Sequence, residues 1–464
     1  MIPLSVAEIA AVTGGEVHGD ADAQVTAPAT VDSRAVEPGG LFVAIAGEHV
    51  DGHDFAAAAH RAGAAAVLAS RPTTAPTVVV DDVVVALGRL ARHLLDRLPD
   101  LHLVALTGSQ GKTGTKDYLA AVLADAGPTV ATAGNLNNEI GVPLTVLRAT
   151  AETAYLVVEM GARGIGHIAY LCEIAPPDVA AVLNVGTAHL AEFGSREAIA
   201  QAKGEILEAL PPDGVAVVLA DDGLTAGTAG RTAARVITFG ERGDVGWRHV
   251  ALDDLGRPAF DLGYDGAWLP VRLTGSGAHQ VPNAAAAAAL ALALGLPLGG
   301  IVAALGTARP SSRWRMELHE RADGVVVIND AYNANPESMV AAIEALGEIG
   351  ARRGARTIAV LGGMRELGAA SPTAHAEVGA AAARRGVDVL VTVGPEGDPM
   401  ADSALATTGW GGTAVRTAGR DDASAWVRNN VRPGDVVLVK ASRGVALEHV
   451  ADGLLAPRPE GDSR

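Results

Sequence analysis

The segment that most restricts what this chain can become is the apolar run Leu101-His102-Leu103-Val104-Ala105-Leu106. It passes without interruption into Thr107-Gly108-Ser109-Gln110-Gly111-Lys112-Thr113 and then into helix-forming sequence as far as Ala126. A buried strand, a glycine turn and a helix in immediate succession form the first half of a βαβ unit, so a parallel sheet covered by helices is expected. In such a turn the backbone N–H groups of Gly108, Ser109, Gln110 and Gly111, with the helix N-terminus behind them, can surround polyphosphate oxygens. Lys112 can neutralise those oxygens and the Thr113 hydroxyl can ligate Mg²⁺. The spacing departs from the standard G-x-x-x-x-G-K-[ST], because Leu106 stands where the first glycine belongs. The bland alternative, a glycine turn with an exposed lysine, is disfavoured by the strand and helix that flank it.

The same alternation extends in both directions. Ahead of the loop, a capping box (Ser5, Glu8) opens a short helix ended by Gly14 and Gly15, and strands at 41–46, 65–68 and 77–80 with a helix from about Asp54 make a small α/β unit. A helix at 84–98 ends at Pro99. After the loop, strands at 155–159, 179–184, 215–219 and 236–239 alternate with helices, and short Gly-separated runs between 247 and 273 suggest antiparallel hairpins. The stretch 307–312 breaks helical periodicity and serves as a linker. Strands at 325–328, 357–361, 387–393 and 436–439 then alternate with helices near 336–347, 374–385, 422–429 and 445–455. The expected fold is therefore α/β in three domains, 1–82, 83–310 and 311–464, which suits 464 residues, too many for one compact core.

Three further residues carry chemistry. Glu159 closes the strand at 155–159, the end at which open α/β sheets bind ligands, and a carboxylate there suits Mg²⁺, which prefers hard oxygen donors. The alternative is a solvated strand-end glutamate. His189 comes after the next strand, in Asn184-Val185-Gly186-Thr187-Ala188-His189, and can reach the same metal-phosphate region, although a lone histidine is more often structural. Lys203 lies four residues after Ile199 and four before Leu207, on the helix face that should be apolar. Burial lowers an amine's pKa, and a neutral amine can capture carbon dioxide to give a carbamate, an oxygen ligand for a metal. On helix geometry alone, a lysine whose stem packs inward while its ammonium reaches water is the stronger reading.

Composition excludes several classes. A formal net charge of −17 argues against a nucleic-acid partner, which would need clustered Lys and Arg. Cys172 is the single cysteine, so no internal disulfide or cysteine-rich metal site can form, and it reads as a small core residue in a reducing compartment. Met1-Ile2-Pro3-Leu4 carries no basic-then-apolar leader, and the Ala-rich run 282–296 is too short to span a bilayer, so a cytoplasmic protein with no membrane insertion is expected.

Together these segments resemble the Mur ligases, three-domain enzymes that join amino acids or dipeptides to UDP-N-acetylmuramoyl peptides. The family's loop is T-G-x-x-G-K-[ST], which accounts for the departure at Leu106. The family also has a glutamate after the next strand, a histidine in an N-x-x-x-x-H segment and a carbamylated lysine, matched by Glu159, His189 and Lys203. The resemblance implies a small N-terminal α/β UDP-binding domain, a central P-loop ATPase-like parallel-sheet domain and a C-terminal Rossmann-like domain. Asp32-Ser33-Arg34, Asn135-Leu136-Asn137-Asn138-Glu139-Ile140-Gly141-Val142-Pro143, Ser312-Arg313-Trp314-Arg315-Met316-Glu317 and Asp330-Ala331-Tyr332-Asn333-Ala334-Asn335-Pro336 point to the member that adds D-alanyl-D-alanine to UDP-N-acetylmuramoyl-tripeptide.

By the resemblance, Thr113 and Glu159 would serve one Mg²⁺, and His189 with carbamylated Lys203 a second. Lys112 and Arg315 would hold the ATP phosphates, Asn283 adenine and Asp330 the ribose. Ser33 and Arg34 would line the UDP site and Asn137 and Asn138 the muramoyl peptide, Asn333 and Asn335 would also bind substrate, and Lys440 and Ser442 would meet the incoming dipeptide. Ala441 replaces the family's usual glycine there, and cap chemistry is the alternative for Asn335. A monomer is expected. Two other readings stay open: another Mur-type or folylpolyglutamate-type amide ligase, and a nucleotide-binding scaffold without catalysis.

Overall fold

The computed structural model describes residues 1–47, 50–186, 193–309, 312–365 and 367–456. Two compact units emerge, one of residues 1–248, 261–271 and 281–308, the other of residues 249–260, 272–280 and 309–464.

The first unit holds two sheets. The smaller runs Glu16–His18, Thr77–Val79, Ala66–Ala69, Leu41–Val43, Ala29–Thr30, parallel except for its first strand. The larger is wholly parallel, in the order Arg235–Phe239, Val215–Leu219, Val179–Val182, His102–Thr107, Tyr155–Glu159, Thr129–Ala131. Its central strand is buried from Leu103 to Thr107, as expected for a strand covered on both faces. The helix Val83–Asp96, capped by Asp82, contributes Leu87, Leu90 and Leu94 to one apolar cluster. That cluster also takes in Leu41 and Leu68 of the small sheet and Leu103 and Val158 of the large one, so the two sheets share a core. The strands and helices expected around the loop are present to within a few residues. The capping box of Ser5 and Glu8 closes as expected, with Gly14 left-handed behind it.

The chain also forms elements that the sequence pattern left unmarked. Thr129–Ala131 and Thr413–Thr417 are edge strands, half-buried and rich in threonine, so they lack the apolar run of a central strand. Helices at His167–Ile174 and Asp398–Ala406 were likewise unmarked. Between Gly246 and Arg272 three sequential strands pair in order, and the last two are joined by Asp265-Gly266, both at positive φ (49° and 77°), the two-residue turn that suits an antiparallel hairpin.

In the second unit a six-stranded sheet runs Glu317–Glu320, Val326–Asp330, Val436–Lys440, Thr357–Gly362, Val389–Val393, Thr413–Thr417, antiparallel only at its first pair. Helices cover both faces, with Ile343, Leu346 and Val378 on one and Val427, Val450 and Leu454 on the other. Among the described residues no helix is long and apolar enough to cross a membrane. Cys172 is a buried core residue, its thiol pushed up to about 12 by burial.

Candidate active site

In the large sheet of the first unit, Leu106 pairs with Glu159 and Thr107 with Val182. Three neighbouring parallel strands therefore end at one level, and the segments that leave them meet at the same edge. The chain leaves the central strand toward Thr129–Ala131 and leaves its neighbour Val179–Val182 toward Val215–Leu219 on the other side, and such a divergence opens a crevice where ligands of such sheets bind. The loop is held there by the segment after Val179–Val182. Asn184 accepts from the Gln110 N–H at 2.9 Å through Oδ1 and donates through Nδ2 to the Gln110 carbonyl at 3.0 Å, while Ser109 Oγ accepts from the Gly186 N–H at 2.9 Å. Asn184 thus templates the loop, a role that its place in the N-x-x-x-x-H segment did not suggest.

Gly111 sits at φ 78°, and a Cβ there would lie 2.5 Å from Asn283 Oδ1, so the expected adenine contact Asn283 packs directly on the loop. Gly108 is also closely covered, by Leu183. The helix Lys112–Ala124 has no side-chain cap, which leaves its first N–H groups for an anion. The Lys112 ammonium donates to the Gly108 carbonyl at 2.7 Å, folded across the loop that it would share with a phosphate.

Glu159 is only 2% exposed. Thr113 Oγ1 donates to one of its carboxylate oxygens at 3.1 Å and Asn137 Nδ2 to the other at 2.8 Å, while its own N–H donates to Thr132 Oγ1 at 2.9 Å. A hydroxyl and a carboxylate oxygen side by side are hard donors, and they fit a magnesium ion. Asn137, expected against the muramoyl peptide, has its amide on Glu159, and its carbonyl accepts from Gly161 N–H at 2.7 Å. The Asn138 side-chain oxygen accepts from Gly141 N–H at 2.9 Å in the turn that precedes the helix Gly141–Val146, so that oxygen is engaged by the turn.

Lys203 is buried, 6% exposed, on the face of the helix Arg196–Glu208 that also buries Ile199, Ala202, Ile206 and Leu207. Burial, and secondarily the like charge of Lys112, lowers its pKa to about 7. An amine that is substantially neutral near pH 7 fits the chemistry of carbon dioxide capture. Two residues on, the buried Glu205 accepts from the N–H groups of Gly166 (2.6 Å) and Ala169 (3.0 Å), capping the helix His167–Ile174, which has no cap of its own. His189 lies outside the described residues. Among the described residues no three His, Cys, Asp or Glu side chains cluster as a metal site.

In the small sheet, Ser33 lies half-buried just past the strand Ala29–Thr30. Arg34 is tied to Asp32 by two hydrogen bonds (2.9 and 2.7 Å) that hold the Asp32 carboxyl at about 2.

In the second unit Lys440, 2% exposed, donates to Asp330 at 2.6 Å and to the Asn333 carbonyl at 2.8 Å, and the other Asp330 oxygen accepts from Met316 N–H at 3.1 Å. The residues expected at the ribose and at the dipeptide are thus partners of one another. Asn335 caps the helix Pro336–Arg353, its oxygen accepting from Ser338 N–H at 2.8 Å, in line with the cap alternative. Asn333 is exposed, and Ser442 is buried beneath Arg365. The Arg315 guanidinium lies over the Tyr332 ring at 4.4 Å, and its neighbours Trp314 and Met316 both adopt positive φ (58° and 50°), a costly backbone that recurs at functional sites.

Family profiles match most of the chain: the Mur ligase family catalytic domain at residues 29–94, the Mur ligase middle domain at 106–291, and the Mur ligase glutamate ligase domain at 314–443. The chain is 46% identical to a UDP-N-acetylmuramoyl-tripeptide–D-alanyl-D-alanine ligase of Mycobacterium tuberculosis, with all of both chains covered. It is 36% identical to the ligase of the same name from Escherichia coli, over 98% of this chain and 99% of that one. Among solved structures, MurF from Acinetobacter baumannii is similar with a TM-score of 0.87 at 34% identity, covering 98% of this chain and 99% of the other. MurF ligase from Thermotoga maritima in complex with ADP is similar with a TM-score of 0.77 at 32% identity, covering 92% and 97%.

Proposed function

Because the chain belongs to the Mur ligase family, and its relatives match along its whole length, we propose that it joins D-alanyl-D-alanine to UDP-N-acetylmuramoyl-tripeptide at the expense of ATP. The products are UDP-N-acetylmuramoyl-pentapeptide, ADP and phosphate, in cytoplasmic synthesis of a peptidoglycan precursor. The observation that carries the reading is the Glu159 carboxylate, buried between Thr113 and Asn137 at the edge where the phosphate loop ends.

In the reaction ATP phosphorylates the terminal carboxylate of the tripeptide, and the dipeptide's amine attacks the acyl phosphate and expels phosphate. The loop N–H groups and Lys112 bind and orient the polyphosphate, and Arg315, held flat on Tyr332, offsets charge that develops on the transferred group. Magnesium, when bound, neutralises phosphate oxygens, and Thr113 and Glu159 would hold one ion. Lys203 as a carbamate, with His189, would hold a second, which its burial and lowered pKa support. On this reading Lys203→Ala loses ligation and a small added carboxylate restores part of it. Full activity in the unsupplemented variant would remove the carbamate from the scheme.

The experiment that tests the function is phosphate release from ATP by the full chain, given UDP-N-acetylmuramoyl-tripeptide and a choice of acceptors. Turnover that requires D-alanyl-D-alanine is expected. Turnover with single amino acids or glutamate but not with the dipeptide would place the chain with another ligase specificity. ATP turnover indifferent to both substrates would favour a scaffold.

A further inference from the structure

In the second unit Val436–Lys440 lies between Val326–Asp330 and Thr357–Gly362, all three parallel. The helix after Thr357–Gly362, Ser371–Arg384, packs in the same apolar layer as Pro336–Arg353, through Val378 and Ala382. The helix after Val436–Lys440, Glu448–Leu455, packs in the opposite layer through Val450 and Leu454. The chain thus leaves two adjacent parallel strands in opposite directions, and such a divergence opens a ligand crevice at the strands' carboxyl ends.

The two lips of that crevice each contribute an arginine and are joined to each other. Arg365 N–H donates to Ser442 Oγ at 3.0 Å, and Ser442 N–H to the Gly363 carbonyl at 3.1 Å. The Arg365 guanidinium lies flat on Gly444, where a Cβ would stand 3.0 Å from its Cζ and Nε. From the other lip, Arg443 lies over the Trp314 ring at 4.5 Å and is paired with the buried Glu448. Lys440 is neutralised by Asp330 and Arg443 by Glu448. Arg365 is exposed, and among the described residues no carboxylate stands within ion-pair distance of it.

We propose that Arg365, steadied on Gly444, binds the C-terminal carboxylate of the acceptor dipeptide and so sets specificity for an acceptor that carries one. The proposal rests on the reading that D-alanyl-D-alanine is the acceptor. That dipeptide reacts through its amine, which is neutral when it attacks. Its carboxylate takes no part in the bond formed and is the one charge left for recognition. A planar guanidinium with its edge free matches a carboxylate with two parallel hydrogen bonds.

The test compares D-alanyl-D-alanine with D-alanyl-D-alaninamide in acceptor-dependent phosphate release by the full chain. Arg365→Ala is expected to raise KM for the dipeptide about ten- to a hundredfold, with KM for ATP unchanged and kcat within about twofold. The unaltered chain should lose a similar factor on the amide, and Arg365→Ala should lose nothing further on it. Arg365→Lys keeps the charge without the fork and should fall between. Gly444→Ala, at a backbone φ open to any residue, should displace the guanidinium and raise the same KM by a smaller factor. Equal losses on both acceptors, or a rise in KM for ATP, would overturn the assignment. Failure of the unaltered chain to use D-alanyl-D-alanine at all would instead overturn the functional reading beneath it.

Discussion

Replacing Lys203 by Met should reverse a large stability cost, and the sign of its pH dependence is set by the burial. The ordinary lysine value of 10.5 describes the unfolded chain, and burial brings the folded value to about 7. Between those two values the unfolded state binds a proton that the folded state does not, so stability rises with pH by ~1.4 kcal/mol per pH unit. Below pH 7 the ammonium is charged in both states and the cost is fully present, ~5 kcal/mol in all. Above 10.5 the cost has gone. The assay is urea unfolding in carbon dioxide-free buffer from pH 7 to 9.5, with the Lys203→Met chain as reference. The difference between the two stabilities should shrink steeply as pH rises, and bicarbonate should stabilise only the lysine form, because it consumes the neutral amine of the folded state. Parallel curves for the two chains would refute the reasoning, since a lysine whose ammonium reaches water produces no such slope.

Three other substitutions read individual contacts. Asn137→Ala removes one of the two side-chain hydrogen bonds that orient Glu159 and should raise the magnesium concentration for half-maximal activity about tenfold, measured by titration; an unchanged midpoint would mean that Glu159 needs no such support. Glu205→Ala strips the cap from the helix His167–Ile174 and orphans two N–H groups, so urea unfolding should show a loss of ~2–4 kcal/mol, with Glu205→Gln losing less. Asp330→Ala leaves the Lys440 ammonium buried without its partner and should cost ~3–5 kcal/mol, whereas the double change Asp330→Ala with Lys440→Met should recover part of it; equal losses would show that the pair is not coupled.

What the sequence made legible was local. The loop at 107–113 is contiguous, and the strand Tyr155–Glu159 carries its carboxylate at the end where parallel sheets bind ligands, so a short motif located the one and the strand pattern the other. Lys203 could be assigned to an inward face by counting helical turns, but its burial depended on what covers that face. The contacts that complete the site are long-range. Asn137 meets Glu159 across 22 residues, Glu205 reaches Gly166 across 39, and Lys440 finds Asp330 across 110. No spacing rule links such pairs, because their meeting is decided by strand order. Glu205 could have been suspected on the grounds used for Lys203, as a charged residue inside an apolar stretch of the same helix. Asn138 and Asn335 stand beside helix starts, where turn and cap chemistry competes with the substrate contacts that the resemblance implies, and each places its side-chain oxygen on the turn or cap.

The two large sheets each end a strand in a buried acid, Glu159 in one and Asp330 in the other, and the groups around those acids differ in a way that separates their roles. Asp330 receives an ammonium, so its charge is already balanced and it serves to hold Lys440 and the backbone of Met316. Glu159 receives a hydroxyl and an amide, both neutral, and among the described residues no cation stands within ion-pair distance of it. Neutral donors fix a carboxylate's direction without cancelling its charge, and a buried charge left in that condition is costly unless a cation completes it. The protein keeps that cost at the strand end beside its phosphate loop, where a divalent ion brought in with a polyphosphate would relieve it. Supplying the charge from the protein instead, by Asn137→Lys, should stabilise the fold without nucleotide and abolish magnesium-dependent turnover. A variant that stayed active with an unchanged magnesium requirement would show that the uncompensated carboxylate is not what recruits the ion.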